Sequence, residues 1–310
     1  MRPLRIKVLI GPSTFGEHDP APLVHLAEAG CDIIENPYKR RLTRDEVLKL
    51  LSDKVTGLIA GLEPLGRDVL EKTRLRVISR CGVGTSNIDL EAARELCIKV
   101  RSTPDAPTTS VAELTIGAMI NTLRQISRMD MDLHGGRWAK QIGVQLEGKA
   151  VAIIGLGRIG RKVASLLKGF NVKLIAVDPN LSGKVDGVEI CSLEEALPKA
   201  DIVTIHSGGE SQIMGSNEFK LIKDGAFLLN AARGGVVDET ALIEALDNGK
   251  IKGAWIDTFN IEPYTGPLKS YSQVILTPHA GSYTVECRKI METEAVNNLI
   301  SAFREGSDDA

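Results

Sequence analysis

One run of residues constrains this chain more than any other. Val151-Ala152-Ile153-Ile154-Gly155-Leu156-Gly157-Arg158-Ile159-Gly160 reads as an apolar strand passing into GxGxxG and then into a helical stretch from Arg161 to Lys168. In that setting Gly155 permits a tight turn, Gly157 lets the backbone approach a pyrophosphate, and Gly160 lets helix and strand pack closely. The phosphate then sits on the helix N-terminus. A bare GxGxxG can be no more than a structural turn. Here a second strand, Lys173 to Val177, ends in Asp178, about eighteen residues after Gly160, where the motif places an acid on the ribose hydroxyls. Pro179 and Asn180 follow it and offer no cation for a 2′-phosphate, so NAD is expected rather than NADP; the alternative for Asp178 is a turn-forming surface residue.

The rest of the chain agrees with a dinucleotide fold. Short β-branched runs alternate with helix-like stretches from end to end, the mark of an α/β protein with parallel sheets. Strands are predicted at Ile6 to Ile10, Asp32 to Glu35, Gly57 to Ala60, Arg76 to Ser79 and Ile98 to Arg101, before the glycine motif is reached. A second series runs through Val151 to Ile154, Lys173 to Val177, Asp201 to Ile205, Ala226 to Asn230, Gly253 to Ile256 and Val274 to Leu276. With 310 residues and 43% hydrophobic content, the chain can carry two domains. The expected fold class is α/β with two doubly wound parallel-sheet domains: residues 1–103 with 285–310 as one, and a central Rossmann NAD-binding domain at 104–284. Between the two series one long helix is expected, opened by a capping box of Ser110 and Glu113 and closed by Gly135 and Gly136. Its apolar stripe from Val111 to Met129 fits either the chain's own core or a subunit interface.

Composition narrows the function classes. A net charge of −2 with dispersed Lys and Arg argues against a nucleic-acid partner. The apolar run within Met1 to Ile10 is too short for a signal segment or a membrane span, so a cytoplasmic protein with no membrane partner is expected. Cys31, Cys81, Cys97, Cys191 and Cys287 are odd in number and lack CxxC spacing, which speaks against a disulfide framework and a zinc site. No metal is expected.

In an open parallel sheet, ligands bind beyond the carboxyl ends of the strands. His206, Arg233, Asp257, Glu262 and His279 all follow predicted strand ends on the edge that carries the glycine loop. Arg233 suits the task of holding a carboxylate and polarising a keto group, because guanidinium binds bidentately and stays charged. His279 suits proton transfer near neutral pH, and Glu262 would orient its ring. Each has a bland alternative: a solvated turn for Arg233, loop surface for Glu262, a strand-end histidine for His279. His206 is as readily a structural strand-end histidine as a cofactor contact. His18, His25 and His134 have no partners suggested by spacing.

These residues stand among longer matches. They are Arg80-Cys81-Gly82-Val83-Gly84-Thr85-Ser86-Asn87-Ile88-Asp89, Thr103-Pro104-Asp105-Ala106-Pro107, Val111-Ala112-Glu113-Leu114, the glycine loop, Asn230-Ala231-Ala232-Arg233-Gly234-Gly235, Asp257-Thr258-Phe259 through Glu262-Pro263, and Thr277-Pro278-His279-Ala280-Gly281. With them the chain resembles the D-isomer-specific 2-hydroxyacid dehydrogenases, in their phosphoglycerate dehydrogenase-like branch. The resemblance implies a discontinuous, flavodoxin-like substrate domain made of the two chain ends, a central NAD domain, and a homodimer joined through the NAD domains. It implies catalysis by Arg233, Glu262 and His279. For the cofactor it implies contacts at Val83, Gly155, Gly157, Arg158, Ile159, Gly160, Asp178, His206, Ala231, Ala232, Arg233, Asp257, His279, Gly281 and Ser282. For the substrate it implies Gly82, Val83 and Gly84 with Arg233 and His279, the loop presenting N–H groups to a carboxylate.

The implied activity is NAD-dependent interconversion of a small D-2-hydroxy acid and its 2-keto acid, with D-3-phosphoglycerate the first candidate and glyoxylate or hydroxypyruvate the alternative. An NAD-responsive corepressor-like binding protein is the alternative of another class. Formate and phosphite dehydrogenases share the scaffold, but the formate enzymes carry Gln where this chain has Glu262. Two departures from the family pattern stand out. Ser207-Gly208-Gly209-Glu210 replaces a Pro-containing loop, and Gly61-Leu62-Glu63 stands where phosphoglycerate dehydrogenases place a phosphate-binding Arg. Lys39, Arg40 or Arg41 could substitute for that cation, or form a solvated basic turn.

Overall fold

Two open sheets account for the architecture. The computed structural model describes residues 3–51 and 54–305, so Met1 and Arg2 of the amino-terminal stretch read above lie outside it. The chain divides into two compact units, Thr108–Ser282 and the segments on either side of it.

In the first unit, strands β1 (Ile6–Ile10), β2 (Cys31–Ile34), β3 (Val55–Ala60), β4 (Val77–Arg80) and β5 (Lys99–Ser102) form a parallel sheet in the order β2-β1-β3-β4-β5. Successive side chains alternate between its faces. Leu9, Leu58 and Ile78 face helices α2 (Arg44–Leu50), α3 (Arg67–Leu70) and α4 (Leu90–Glu95), whereas Val8, Ile10, Ile59 and Val77 pack in a separate cluster with α1 (Ala21–Glu28). A sheet covered on both faces reads as continuous apolar runs, which is why the sequence showed its strands. Local caps fix two of the helix starts. Thr43 and Glu46 form a capping box at α2, and Asp89 accepts from Ala92 N–H at 2.8 Å at α4.

The second unit opens with α5 (Thr108–Arg124) and α6 (Ile126–His134). It continues through β6 (Ala150–Ile154), α7 (Arg158–Leu167), β7 (Lys173–Val177), β8 (Lys184–Val185), β9 (Val188–Ile190), α8 (Leu193–Ala196) and β10 (Ile202–Ile205). It closes with α9 (Ser216–Leu221), β11 (Ala226–Asn230), α10 (Glu239–Asp247), β12 (Ile251–Ile256) and β13 (Val274–Leu276). The strand order is β13-β12-β11-β10-β6-β7-β9-β8, parallel except at the β8/β9 hairpin. Val151, Ile153, Leu229 and Trp255 meet Met119 and Leu123 of α5 and Val163 of α7 on one face, and Ile154, Val203, Leu228 and Ile256 meet Leu242 of α10 on the other.

The predicted single helix over Ser110 to Gly135 is two helices. Gln125 takes a left-handed conformation (φ 54°), and Asn121 bridges the break by accepting from Ser127 N–H at 2.9 Å and donating to Ser127 Oγ at 2.6 Å. Nor does Ser110 cap anything. It lies inside α5, and its hydroxyl donates to the carbonyl of Gly281 at 2.7 Å. The stripe on α5 is core, whereas Met131 and Leu133 of α6 are 68% and 56% exposed.

The last helix, α11 (Val285–Arg304), returns to the first unit and runs against β4, β5 and β3. Met291, Ala295, Val296, Leu299, Ile300 and Phe303 complete the cluster around Val8, Ile10, Ile59 and Val77. It also brings a buried ion pair, Arg288 Nη2 to Glu292 Oε1 at 2.6 Å, whose other oxygen accepts from Gly16 N–H at 2.9 Å. Among the described residues no helix is long and apolar enough to cross a membrane.

Candidate active site

The glycine loop joins β6 to α7 at the point where the strand order of the second sheet reverses, between β10 and β6. Open sheets take their ligands outside the carboxyl ends at such a point. Each glycine has its own constraint. Gly155 sits at φ +89°, with an ideal Cβ 2.7 Å from both N and Cα of Ser207, and a Cβ on Gly160 would lie 2.1 Å from Gly155 O. Gly157, by contrast, would meet nothing within 4 Å, and as the N-cap of α7 it leaves the first N–H groups of that helix without a side-chain cap. Uncapped N–H groups beside open space at the end of a ten-residue helix suit an anionic group. The donor set fits a dinucleotide pyrophosphate. Asp178, just past β7, accepts from Leu156 N–H at 2.9 Å through Oδ2 and from Asn180 N–H at 3.0 Å through Oδ1, fastening its strand to the glycine loop.

Beyond β10, His206 donates its N–H to Ile154 O at 2.7 Å, and its Nε2 lies 2.9 Å from Thr204 Oγ1. Its ring is sealed, with Nδ1 buried and unpartnered, and burial alone lowers its pKa to about 3. The imidazole therefore stays neutral at physiological pH.

Arg233 follows β11 on a turn shaped by Asn230, whose side chain donates to Arg233 O at 2.9 Å and accepts from Ala232 N–H at 3.0 Å. Its guanidinium donates to Ala232 O at 2.7 Å. The two following glycines allow a close approach. A Cβ on Gly234 would stand 2.0 Å from Phe259 C and 2.1 Å from Asn260 N, and one on Gly235 would be 2.9 Å from Glu210 O. Only bare backbone lets the Arg233 turn lie directly on the turn that leads to Glu262.

Glu262 and His279 meet. His279 Nδ1 is 3.1 Å from both carboxylate oxygens, and Oε1 also accepts from Phe259 N–H at 3.1 Å. Both side chains are partly exposed, at 34% for His279 and 25% for Glu262. His279 itself is left-handed (φ 54°), and the fully enclosed carboxylate of Asp257 holds the loop that carries it. Asp257 Oδ1 accepts from Ala280 N–H at 2.8 Å and from the Thr277 hydroxyl at 2.5 Å, and Oδ2 accepts from Gly281 N–H at 3.0 Å. Thr277 Oγ1 in turn accepts from the buried Trp255 Nε1 at 2.9 Å. Asp257 thus spends its oxygens mainly on main chain, a role its position in the sequence did not reveal.

Ala231, Ala232, Gly281 and Ser282 lie on the same edge as the glycine loop, within the second unit. Gly82, Val83 and Gly84 belong to the first unit, past the end of β4. There the N–H of Gly82 already donates to Thr103 Oγ1 at 2.8 Å, which leaves Val83 and Gly84 as the candidate donors of the three. Asn230, Thr277 and Gly234 were missed as site residues. Their signal in the sequence was membership of the two runs Asn230 to Gly235 and Thr277 to Gly281.

Residues 116–281 match the D-isomer specific 2-hydroxyacid dehydrogenase, NAD binding domain family. The chain belongs to the D-isomer-specific 2-hydroxyacid dehydrogenases. A D-3-phosphoglycerate dehydrogenase of Methanocaldococcus jannaschii is 39% identical over 85% of this chain and 52% of its own length. A hydroxypyruvate reductase of Thermotoga maritima is 34% identical over 83% of this chain and 88% of its own. The chain spans about half the length of the first curated relatives it matches. Among solved structures, a protein from Thermus thermophilus superposes with a TM-score of 0.88 at 30% identity, covering 97% of each chain. A glyoxylate reductase from Paecilomyes thermophila superposes at 0.86 with 28% identity, over 99% of this chain and 97% of that one.

Proposed function

We propose that this member of the family interconverts a D-2-hydroxy acid and its 2-keto acid with NAD. In that reading residues 108–282 form the NAD-binding domain and the first unit is the substrate domain. The observation that carries it is the His279–Glu262 pair, 3.1 Å apart on the sheet edge that also bears Arg233 and the open glycine loop. When bound, the nicotinamide supplies or accepts the hydride. Arg233 holds the substrate carboxylate and polarises the keto oxygen. Glu262, gripping Nδ1, fixes the ring so that Nε2 is the nitrogen that gives a proton to the developing alkoxide and takes it back in the reverse direction. In the same reading the main-chain N–H groups of Val83 and Gly84 serve as donors to a substrate carboxylate. The names of the relatives offer 3-phosphoglycerate and hydroxypyruvate, acids whose keto forms differ by a phosphate on C3.

The test is NADH oxidation with glyoxylate, hydroxypyruvate and 3-phosphohydroxypyruvate, run in parallel with NADPH. At least one acid is expected to be reduced, with kcat/KM for NADH above that for NADPH, because the Asp178 carboxylate opposes a 2′-phosphate. No turnover with any acid sinks the dehydrogenase reading in favour of a binding protein. Equal values for the two coenzymes would remove Asp178 from the ribose.

The proposal extends to a homodimer joined through the NAD-binding domains in a reducing cytoplasm, the latter in keeping with cysteines that are all free. Its support is the apolar surface running from α6 into the segment after it, where Met131, Leu133, Trp138 and Ile142 are 68%, 56%, 82% and 93% exposed. Exposed apolar clusters of this kind mark protein contacts. Sedimentation is expected to give a dimer that Trp138→Glu converts to monomer; a monomeric wild type refutes it.

A further inference from the structure

Helix α5 carries three buried hydroxyls, and one of them is used unlike the others. Thr115 and Thr122 donate back to the carbonyls of Val111 and Ala118, each at 2.8 Å, so both are satisfied within their own helix. Ser110, 5% exposed in the first turn, instead donates to Gly281 O at 2.7 Å, 171 residues along the chain. Gly281 is itself buried and lies close against that turn. A Cβ on it would stand 3.0 Å from Val111 Cγ2 and 3.2 Å from Asp257 Oδ2. All of these residues belong to the second unit.

The bond falls two residues from His279. That residue is left-handed (φ 54°), a conformation that a residue with a side chain keeps only where its surroundings hold it. The Asp257 carboxylate supplies part of the hold, through the N–H groups of Ala280 and Gly281. The Gly281 carbonyl is gripped separately, by Ser110. Two residues on from Ser110, Ala112 joins the buried cluster that includes Leu156 of the glycine loop. The opening of α5 therefore meets the His279 loop directly and shares its packing with the glycine loop. Helix formation does not call for a hydroxyl here, since alanine is the better helix former.

We propose that Ser110 is a positioning residue for the proton-transfer pair: by holding Gly281 it keeps the His279 imidazole in register with Glu262, whose oxygens lie 3.1 Å from Nδ1. Ser110 acts on the ring through the main chain of the loop. A displacement of about 1 Å at a reacting group can cost on the order of 10²-fold in rate, so slack let in two residues from the imidazole is felt in kcat. The inference rests on the dehydrogenase reading.

The test is kcat for NADH-dependent reduction of whichever acid among glyoxylate, hydroxypyruvate and 3-phosphohydroxypyruvate the wild type turns over fastest. Ser110→Ala is measured in the wild-type chain and in His279→Gln. The substitution is expected to lower kcat about tenfold in the first background and less than about twofold in the second, where no imidazole is left to misplace. A purely structural hydroxyl would cost the same factor in both. Equal losses in the two backgrounds overturn the proposal, and so does a Ser110→Ala kcat within about twofold of wild type. A Ser110→Ala chain that does not fold overturns it as well, because the hydroxyl would then serve the fold rather than the loop. Wild type that reduces none of the three acids is a separate failure, striking the dehydrogenase reading and this proposal together.

Discussion

Replacing His279 by Gln is expected to lower kcat for 2-keto acid reduction by roughly 10²- to 10⁴-fold, the range that a positioned general acid contributes. The substitution leaves the loop itself in place. The Asp257 carboxylate holds the main chain at Ala280 and Gly281, and the His279 N–H donates to Asp257 O at 2.8 Å, so none of these contacts depends on the imidazole. Glu262→Gln is expected to be the milder change, because an amide can still accept or donate at Nδ1 but no longer stabilises a charged ring. Since Glu262 acts through the imidazole, combining it with His279→Gln is expected to cost little more than His279→Gln alone. A double-mutant cycle on kcat reads this directly. Two effects that simply multiply would show that the pair seen at 3.1 Å does not work as a unit.

The second large effect is expected at Arg233. Arg233→Lys keeps the charge, yet kcat/KM is expected to fall on the order of 10²-fold or more, similar to losing a preorganised oxyanion donor. A lysine ammonium cannot present two parallel N–H bonds to a carboxylate. Nor can it keep the guanidinium geometry that lets Arg233 donate to Ala232 O at 2.7 Å. Steady-state kinetics with a folded variant decides the matter: activity within a few-fold of wild type would place the carboxylate elsewhere. The turn that carries Arg233 is set by Asn230 and by the close approach of Gly234 to Phe259 and Asn260, so its position does not depend on the arginine side chain.

Much of the scaffold was legible because parallel strands buried on both faces are written as plain apolar runs. Lys173–Val177, Ala226–Asn230 and Val274–Leu276 were read with their observed bounds, and most other strands within a residue or two. What escaped was structure whose cause is local geometry or distant packing. The β8/β9 hairpin is too short to show periodicity, although its Asp186-Gly187 turn, both residues at positive φ, is a recognised hairpin signal. Helix α1 begins at Pro20 with no capping side chain and was overlooked. The break at Gln125 has no glycine or proline to announce it.

In the candidate site, the strand-end rule was enough to gather Arg233, Glu262 and His279, because every strand that precedes them points the same way. The partners of their supporting groups were not legible. That Gly82 N–H is taken by Thr103 follows from the pairing of β4 with β5, and that Asp257 serves the His279 loop follows from the pairing of β12 with β13. Both are facts of tertiary adjacency.

The return of α11 to the first unit has a consequence for biosynthesis. Val8, Ile10, Ile59 and Val77 are made early, but the residues that cover them, Met291 through Phe303, are made only after the whole of Thr108–Ser282. At roughly 5–20 residues per second that intervening stretch alone takes on the order of ten seconds or more to synthesise. The second unit holds its entire core within one continuous segment and can close while still tethered to the ribosome. One apolar face of the first sheet has only α1 to cover it through that interval, so part of its apolar surface stays open to water, or to a chaperone, until α11 arrives.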